Sequence, residues 1–227
     1  MIPPPRNPLV AALDVSDLDQ AEELARSLAG TVGLLKVGLE LFTAHGPESV
    51  RRVRAYAPVF LDLKLHDIPN TVERASANAA RLGVAMLNVH ALGGEVMIAA
   101  AVRGAERGAE AGGHATPMIL AVTVLSSLSG ESLASPTSLA FEAMAAGATG
   151  AIVSGEDVAA VRGVVGEEAC LVVPGIRPEG SNGHDHARVL TPGEALEAGA
   201  DYVVIGRPIT GSSDPAATAR AILAGIR

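Results

Sequence analysis

In the stretch FLDLKLHDIPNT, residues 60–71, Leu61, Leu63 and Leu65 form one apolar series, while Asp62, Lys64 and His66 alternate with them and Asp67 comes next. Side chains two apart in a strand face the same side, so a carboxylate and an ammonium become neighbours within an element apolar enough to be buried. Enclosing such charges costs on the order of several kcal/mol per ion unless each is paired and hydrogen-bonded. An ionic ladder filling a core would satisfy that condition. So would a site in which one ammonium and one carboxylate also face a substrate. Lys36, in LLKVGLELF, and Lys64 are the only lysines among 17 basic residues, and arginine fills the rest. Arginine stays protonated at any reachable pH, whereas a lysine ammonium can be tuned into a proton donor. The alternation Lys36, Asp62, Lys64, Asp67 would let each charge be held by its neighbours. Asp67 also has a plainer reading, as N-cap of a helix opening at Pro69.

The elements that must position these groups are legible in the apolar pattern. Strand-like runs fall at 9–15, 34–42, 59–65, 86–92, 118–125, 150–154, 171–176 and 202–206. Helical stretches follow them at 18–28, from Pro47, at 69–83, through Met97 and Ala101, at 139–146 and 158–165, and from Pro192 and Pro215. Continuous apolar strands alternating with helices predict a parallel sheet covered on both faces. Eight such units predict an α/β fold of one domain, a (β/α)8 TIM barrel over residues 9–227, preceded by a mobile Pro-rich tail at 1–8. In these barrels reactive residues stand at the C-terminal strand ends, and phosphate is often held after strands seven and eight. Asp14, Lys36, Asp62, Lys64, His90, Thr123, Ser126, Arg177 and Arg207 all fall at such ends. The turns VPGIRPEG and VIGRPIT each put glycine and arginine just past a strand. There, backbone N–H groups and a guanidinium can meet phosphate oxygens.

Composition removes several classes of function. The chain has 227 residues, a formal charge of -8 and 48% hydrophobic residues. An acidic chain without a basic cluster interleaved with aromatics is a poor match for nucleic acid. The single cysteine, Cys170, rules out a disulfide framework and reads as a buried thiol in a reducing compartment. Neither a signal peptide nor a membrane span is evident, so the expected location is the cytoplasm. GxxxxGK[ST] and GxGxxG are both missing. The HDH triplet around Asp185 reads as a solvated loop, and His90 as a hydrogen-bonded barrel histidine, so no metal site is expected.

ALDV, LKVGLELF, FLDLKLHDIPNT, VPGIRPEG and VIGRPIT together resemble the orotidine 5'-phosphate decarboxylases of the bacterial type, from about Leu9 to the C-terminus. The resemblance implies a homodimeric barrel that makes UMP in pyrimidine synthesis with no metal or organic cofactor. It implies Lys64 as proton donor, with Lys36, Asp62 and Asp67 completing a charged network. Asp67, Ile68 and Thr71 would reach into the partner's site, Asp14 would bind ribose hydroxyls, and Ser126 would contact the pyrimidine. Arg177, Gly206 and Arg207 would hold the phosphate. Ser126 stands where family members commonly have Thr, and His186 where many have Gln, so the bridge from phosphate to base should be looser and sensitive to pH. The alternatives are a Mg-dependent 3-keto-gulonate-phosphate decarboxylase or hexulose-phosphate synthase of the same superfamily, and a silent UMP-binding barrel. The Mg-dependent relatives have an acidic ligand where this chain has Lys36.

Overall fold

The structure is a computed structural model that describes residues 7–124, 134–177 and 190–226. Eight parallel strands close into a barrel in sequence order: β1 (Leu9–Ala12), β2 (Leu34–Gly38), β3 (Val59–Leu65), β4 (Met86–His90), β5 (Met118–Val122), β6 (Gly150–Ile152), β7 (Cys170–Val173) and β8 (Tyr202–Ile205). β1 closes the ring by pairing Leu9 with Val203. The expected fold is therefore the one observed. Hydrogen bonding of the barrel begins before β1, at residues expected to belong to a tail. Asn7 Nδ2 donates to Thr31 O at 2.8 Å, and Pro8 O accepts from Val203 N at 3.0 Å.

Strand alternation divides the core in two. Val10, Ala12, Leu34, Phe60, Met86, Leu120, Val122, Ile152, Cys170, Val172 and Val204 point into the barrel and form an inner cluster. Their odd-numbered neighbours face outward against the helices. Cys170 is buried in the inner cluster, where burial pushes its thiol up to about 12, so it is an inert packing residue.

The helices in chain order are α1 (Leu18–Leu28), α2 (Leu39–His45), α3 (Pro47–Val53), α4 (Pro69–Arg81), α5 (Gly94–Gly112), α6 (Pro136–Ala145), α7 (Val158–Val165), α8 (Pro192–Glu197), α9 (Arg207–Thr210) and α10 (Pro215–Gly225). The run 34–42 is not one strand: β2 ends at Gly38, and Leu39 begins α2 with its side chain exposed while Leu41 is buried. A short apolar run does not distinguish strand from helix by itself. α4 and α5 approach most closely. A Cβ on Gly104 would lie 2.1 Å from Glu73 O, and one on Gly108 2.1 Å from Ala77 O, so the glycine face of α5 lies directly on the α4 backbone. α4 begins right after the segment that carries Asp67 and Ile68, so this contact fixes one rim of the barrel mouth.

Candidate active site

Lys36, Asp62, Lys64, Asn88 and His90 occupy the inward-facing positions of β2, β3 and β4 near the C-terminal mouth. Lys64 Nζ donates to Asp62 Oδ1 at 2.6 Å. Lys36 Nζ lies 3.3 Å from Asp62 Oδ2 and donates to Asp14 Oδ1 at 2.8 Å. Signs alternate along Asp14, Lys36, Asp62 and Lys64, so the fourth charge of the row within one chain is Asp14. Asp67 is exposed, and among the described residues it meets no cation. Nor is it an N-cap: Ile68 holds that position, and Asp67 Oδ1 instead accepts from Ile68 N at 2.6 Å.

Burial pushes the Asp62 carboxyl up, but the Lys36 ammonium and the hydrogen bonds from Lys64 and Asn88 outweigh it and hold the pKa below the usual aspartate value. Asp62 is therefore ionised across the physiological range. Both lysine ammoniums thus have an anionic partner in place.

Lys64 reaches this position by an irregular route. Leu61 pairs with Leu87 and Leu65 with Val89, so four steps along β3 match two along β4. Lys64 sits in that bulge with φ 50°, the only non-glycine residue in the left-handed region among those described. Such a conformation costs roughly 1–3 kcal/mol and persists only where surrounding contacts fix it. The bulge also removes the ladder partner of Lys64 N–H, and the side-chain oxygen of Asn88 replaces it at 2.7 Å. Asn88 Nδ2 donates to Asp62 Oδ1, also at 2.7 Å.

Asp62 and Lys64 thus share a face, as alternation predicts, but a bulge and not a regular pleat brings them together. Asn88 has no part in the sequence-derived set, although an amide in the apolar strand MLNVH at an inward position is the same kind of signal as Asp62 in β3. His90 differs from expectation too. Its Nδ1 is buried with no hydrogen-bond partner among the described residues, and its ring stacks on His66 with centroids 5.2 Å apart. Burial, and then the nearby His66 and Lys64 charges, lower its pKa, so it is neutral at pH 7. Thr123 proves structural, donating from Oγ1 to Ile152 O at 3.0 Å.

Lys36, Asp62 and Lys64 form one wall of a cavity at the barrel mouth. Among the described residues Phe60, Ile152, Val172, Pro174 and Val204 form the remainder, so charge on β2 and β3 faces apolar surface from β6 to β8. Low-polarity walls strengthen the fields of fixed charges. Arg177 lies just past β7 and Arg207 opens α9 just past β8, with Gly206 between strand and helix. Among the described residues neither arginine has an ion-pair partner. A Cβ on Gly206 would lie 3.6 Å from Asp14 Oδ2, which places this turn at the same rim as Asp14. Ser126 and His186 lie outside the described residues. Three or more His, Cys, Asp or Glu side chains do not converge anywhere among the described residues.

Fold and site together define a (β/α)8 barrel with paired, fixed charges at its C-terminal mouth. Residues 7–222 match the Orotidine 5'-phosphate decarboxylase / HUMPS family, and the chain belongs to it. Orotidine 5'-phosphate decarboxylase of Anaeromyxobacter sp. (strain K) is 52% identical over 98% of this chain and 99% of its own. That of Moorella thermoacetica is 46% identical over 97% and 92%. The crystal structure of orotidine 5'-phosphate decarboxylase from Lactobacillus acidophilus superposes with a TM-score of 0.84 at 36% identity, covering 97% of this chain and 99% of that one.

Proposed function

We propose that this chain removes CO2 from orotidine 5'-phosphate to give UMP in pyrimidine synthesis. Family membership supports the reaction class. The observation that carries the mechanism is the Lys64 ammonium held 2.6 Å from Asp62 at the edge of a cavity whose other walls are apolar among the described residues.

Loss of CO2 from C6 of the pyrimidine leaves an electron pair in an in-plane orbital that the ring π system does not delocalise. A preorganised ammonium beside C6 stabilises the charge as it develops, and fixed charges of this kind usually lower a barrier more than any other device an enzyme has. Lys64 then protonates C6. Asp62, beside the departing carboxylate, disfavours the bound substrate more than the transition state, and the grip of Arg177, Gly206 and Arg207 on phosphate supplies the remote binding energy that holds the ring there. Asp14, tied to Lys36, receives the ribose hydroxyls. Ser126 contacts the pyrimidine, and His186 donates to phosphate when protonated.

The chain acts as a homodimer in the cytoplasm, with Asp67, Ile68 and Thr71 entering the partner's site. Exposed Ile68 (66%), Leu92 (56%) and Val96 (68%) at the β3 and β4 ends support an apolar contact there. Among the described residues no helix is long and apolar enough to cross a membrane. Against the Mg-dependent relatives stands Lys36, whose ammonium lies between Asp14 and Asp62 and would repel a divalent cation there.

Loss of orotidine 5'-phosphate absorbance, followed with and without EDTA, tests the assignment. Turnover insensitive to chelator is expected. Chelator-sensitive turnover would favour the Mg-dependent chemistry, and UMP binding without turnover a silent barrel.

A further inference from the structure

We propose that Asn88 is a positioning residue for the reaction, an amide clamp that orients the Asp62 carboxylate and holds Lys64 in its left-handed conformation. This rests on the decarboxylase reading. Asn88 is fully buried in the barrel. It makes two hydrogen bonds of opposite sense: Oδ1 accepts from Lys64 N and Nδ2 donates to Asp62 Oδ1, both at 2.7 Å. The backbone N–H is only a donor and the ionised carboxylate only an acceptor, so the partners dictate which end of the amide points where. Only a group with one acceptor and one donor in that fork serves both. Aspartate at this place would face Asp62 with a second carboxylate, and an aliphatic side chain would leave Lys64 N–H buried without a partner.

Asp62 has Lys64 Nζ and Asn88 Nδ2 on Oδ1 and Lys36 Nζ near Oδ2. Two of these donors sit on long, flexible side chains. Asn88, on a short side chain of the neighbouring strand, ties the plane of the carboxylate to β4. By holding the Lys64 backbone as well, it sets the origin from which the ammonium reaches C6. Misplacement of a reacting group by about 1 Å costs on the order of 100-fold in rate.

The test is made on the full chain with Asn88→Ala and Asn88→Asp, the latter retaining size and the acceptor toward Lys64 N. Both are expected to unfold cooperatively and to bind UMP within about threefold of wild type, while kcat for orotidine 5'-phosphate falls roughly 10- to 100-fold. In Asn88→Ala the acid limb of kcat should also move to higher pH, because Asp62 loses a hydrogen bond to its charged form while Lys36 on β2 and Lys64 on β3 still face it, with Asp14 behind Lys36. Turnover within twofold of wild type in either folded variant overturns the proposal. So does a loss of UMP affinity as large as the loss of kcat, the mark of a merely structural residue. Wild type is assayed alongside: an inactive wild type overturns the decarboxylase reading and this proposal together, whereas with an active one the variants bear on Asn88 alone.

Discussion

Lys64, the proposed proton donor, also has the least favourable backbone among the described residues. Its φ of 50° is ordinary for glycine and costly for any other residue. Anionic and amide partners at 2.6 and 2.7 Å hold it there. Replacement therefore separates function from stability. Lys64→Ala and Lys64→Gly should both abolish turnover, because neither leaves an ammonium beside Asp62. Lys64→Gly should nevertheless be the more stable of the two by about 1 kcal/mol, a rise in Tm of roughly 2–4 °C for a chain of this size. Orotidine 5'-phosphate absorbance and thermal unfolding read the two properties. Near-normal UMP formation by either variant would remove Lys64 from the role of proton donor.

Among the elements, the α4–α5 pair shows how local preference and tertiary contact can oppose each other. Helix propensity favours alanine over an interior glycine by about 1 kcal/mol. At Gly108 a Cβ would lie 2.1 Å from Ala77 O, while at Gly163 on α7 nothing lies within 4 Å. Overpacking a tight contact costs about 1–3 kcal/mol, enough to reverse the sign at the first position and not the second. Gly108→Ala should lower Tm and Gly163→Ala raise it, and shifts of the same sign would contradict the close approach. Since α4 follows the segment with Asp67 and Ile68, Gly108→Ala should also weaken whatever that segment contacts. The division of 34–42 into β2 and α2 belongs to this scale too. Its apolar content was legible, but Leu39 is exposed and Leu41 buried only because the chain turns away from the barrel at Gly38.

Across the whole molecule, closure of the ring brings β2 and β3, carrying charge, opposite β6 to β8, carrying apolar side chains. One chain supplies Asp14, Lys36, Asp62 and Lys64 to that mouth but leaves Asp67 exposed on its rim. In a two-fold dimer the same rim of the partner could deliver Asp67 to the site. Lys64→Ala and Asp67→Ala homodimers should then each be impaired, yet mixing and reassociating them should restore activity. With random pairing half of the dimers are mixed, and each mixed dimer has one of its two sites intact, so about a quarter of the sites recover. Activity in the mixture no higher than the mean of the two variants would place Asp67 in its own chain's site or in none.

The barrel and the heart of the site are legible in the chain before it folds. Apolar period and turn residues are local properties, so eight strand–helix units can be counted along the sequence, and Asp62, Lys36 and Lys64 stand out as charges in segments that must be buried. Other features exist only once the strands have paired: Asp14 as the fourth member of the charged row, Asn88 as the bridge between Asp62 and Lys64, and the bulge in β3 where period-two alternation predicts a regular strand. These depend on strand register and on the approach of side chains 22 to 26 residues apart. Alternation fixes which face a strand presents, but which residues meet across strands is decided only when whole strands pair and the ring closes with its stagger.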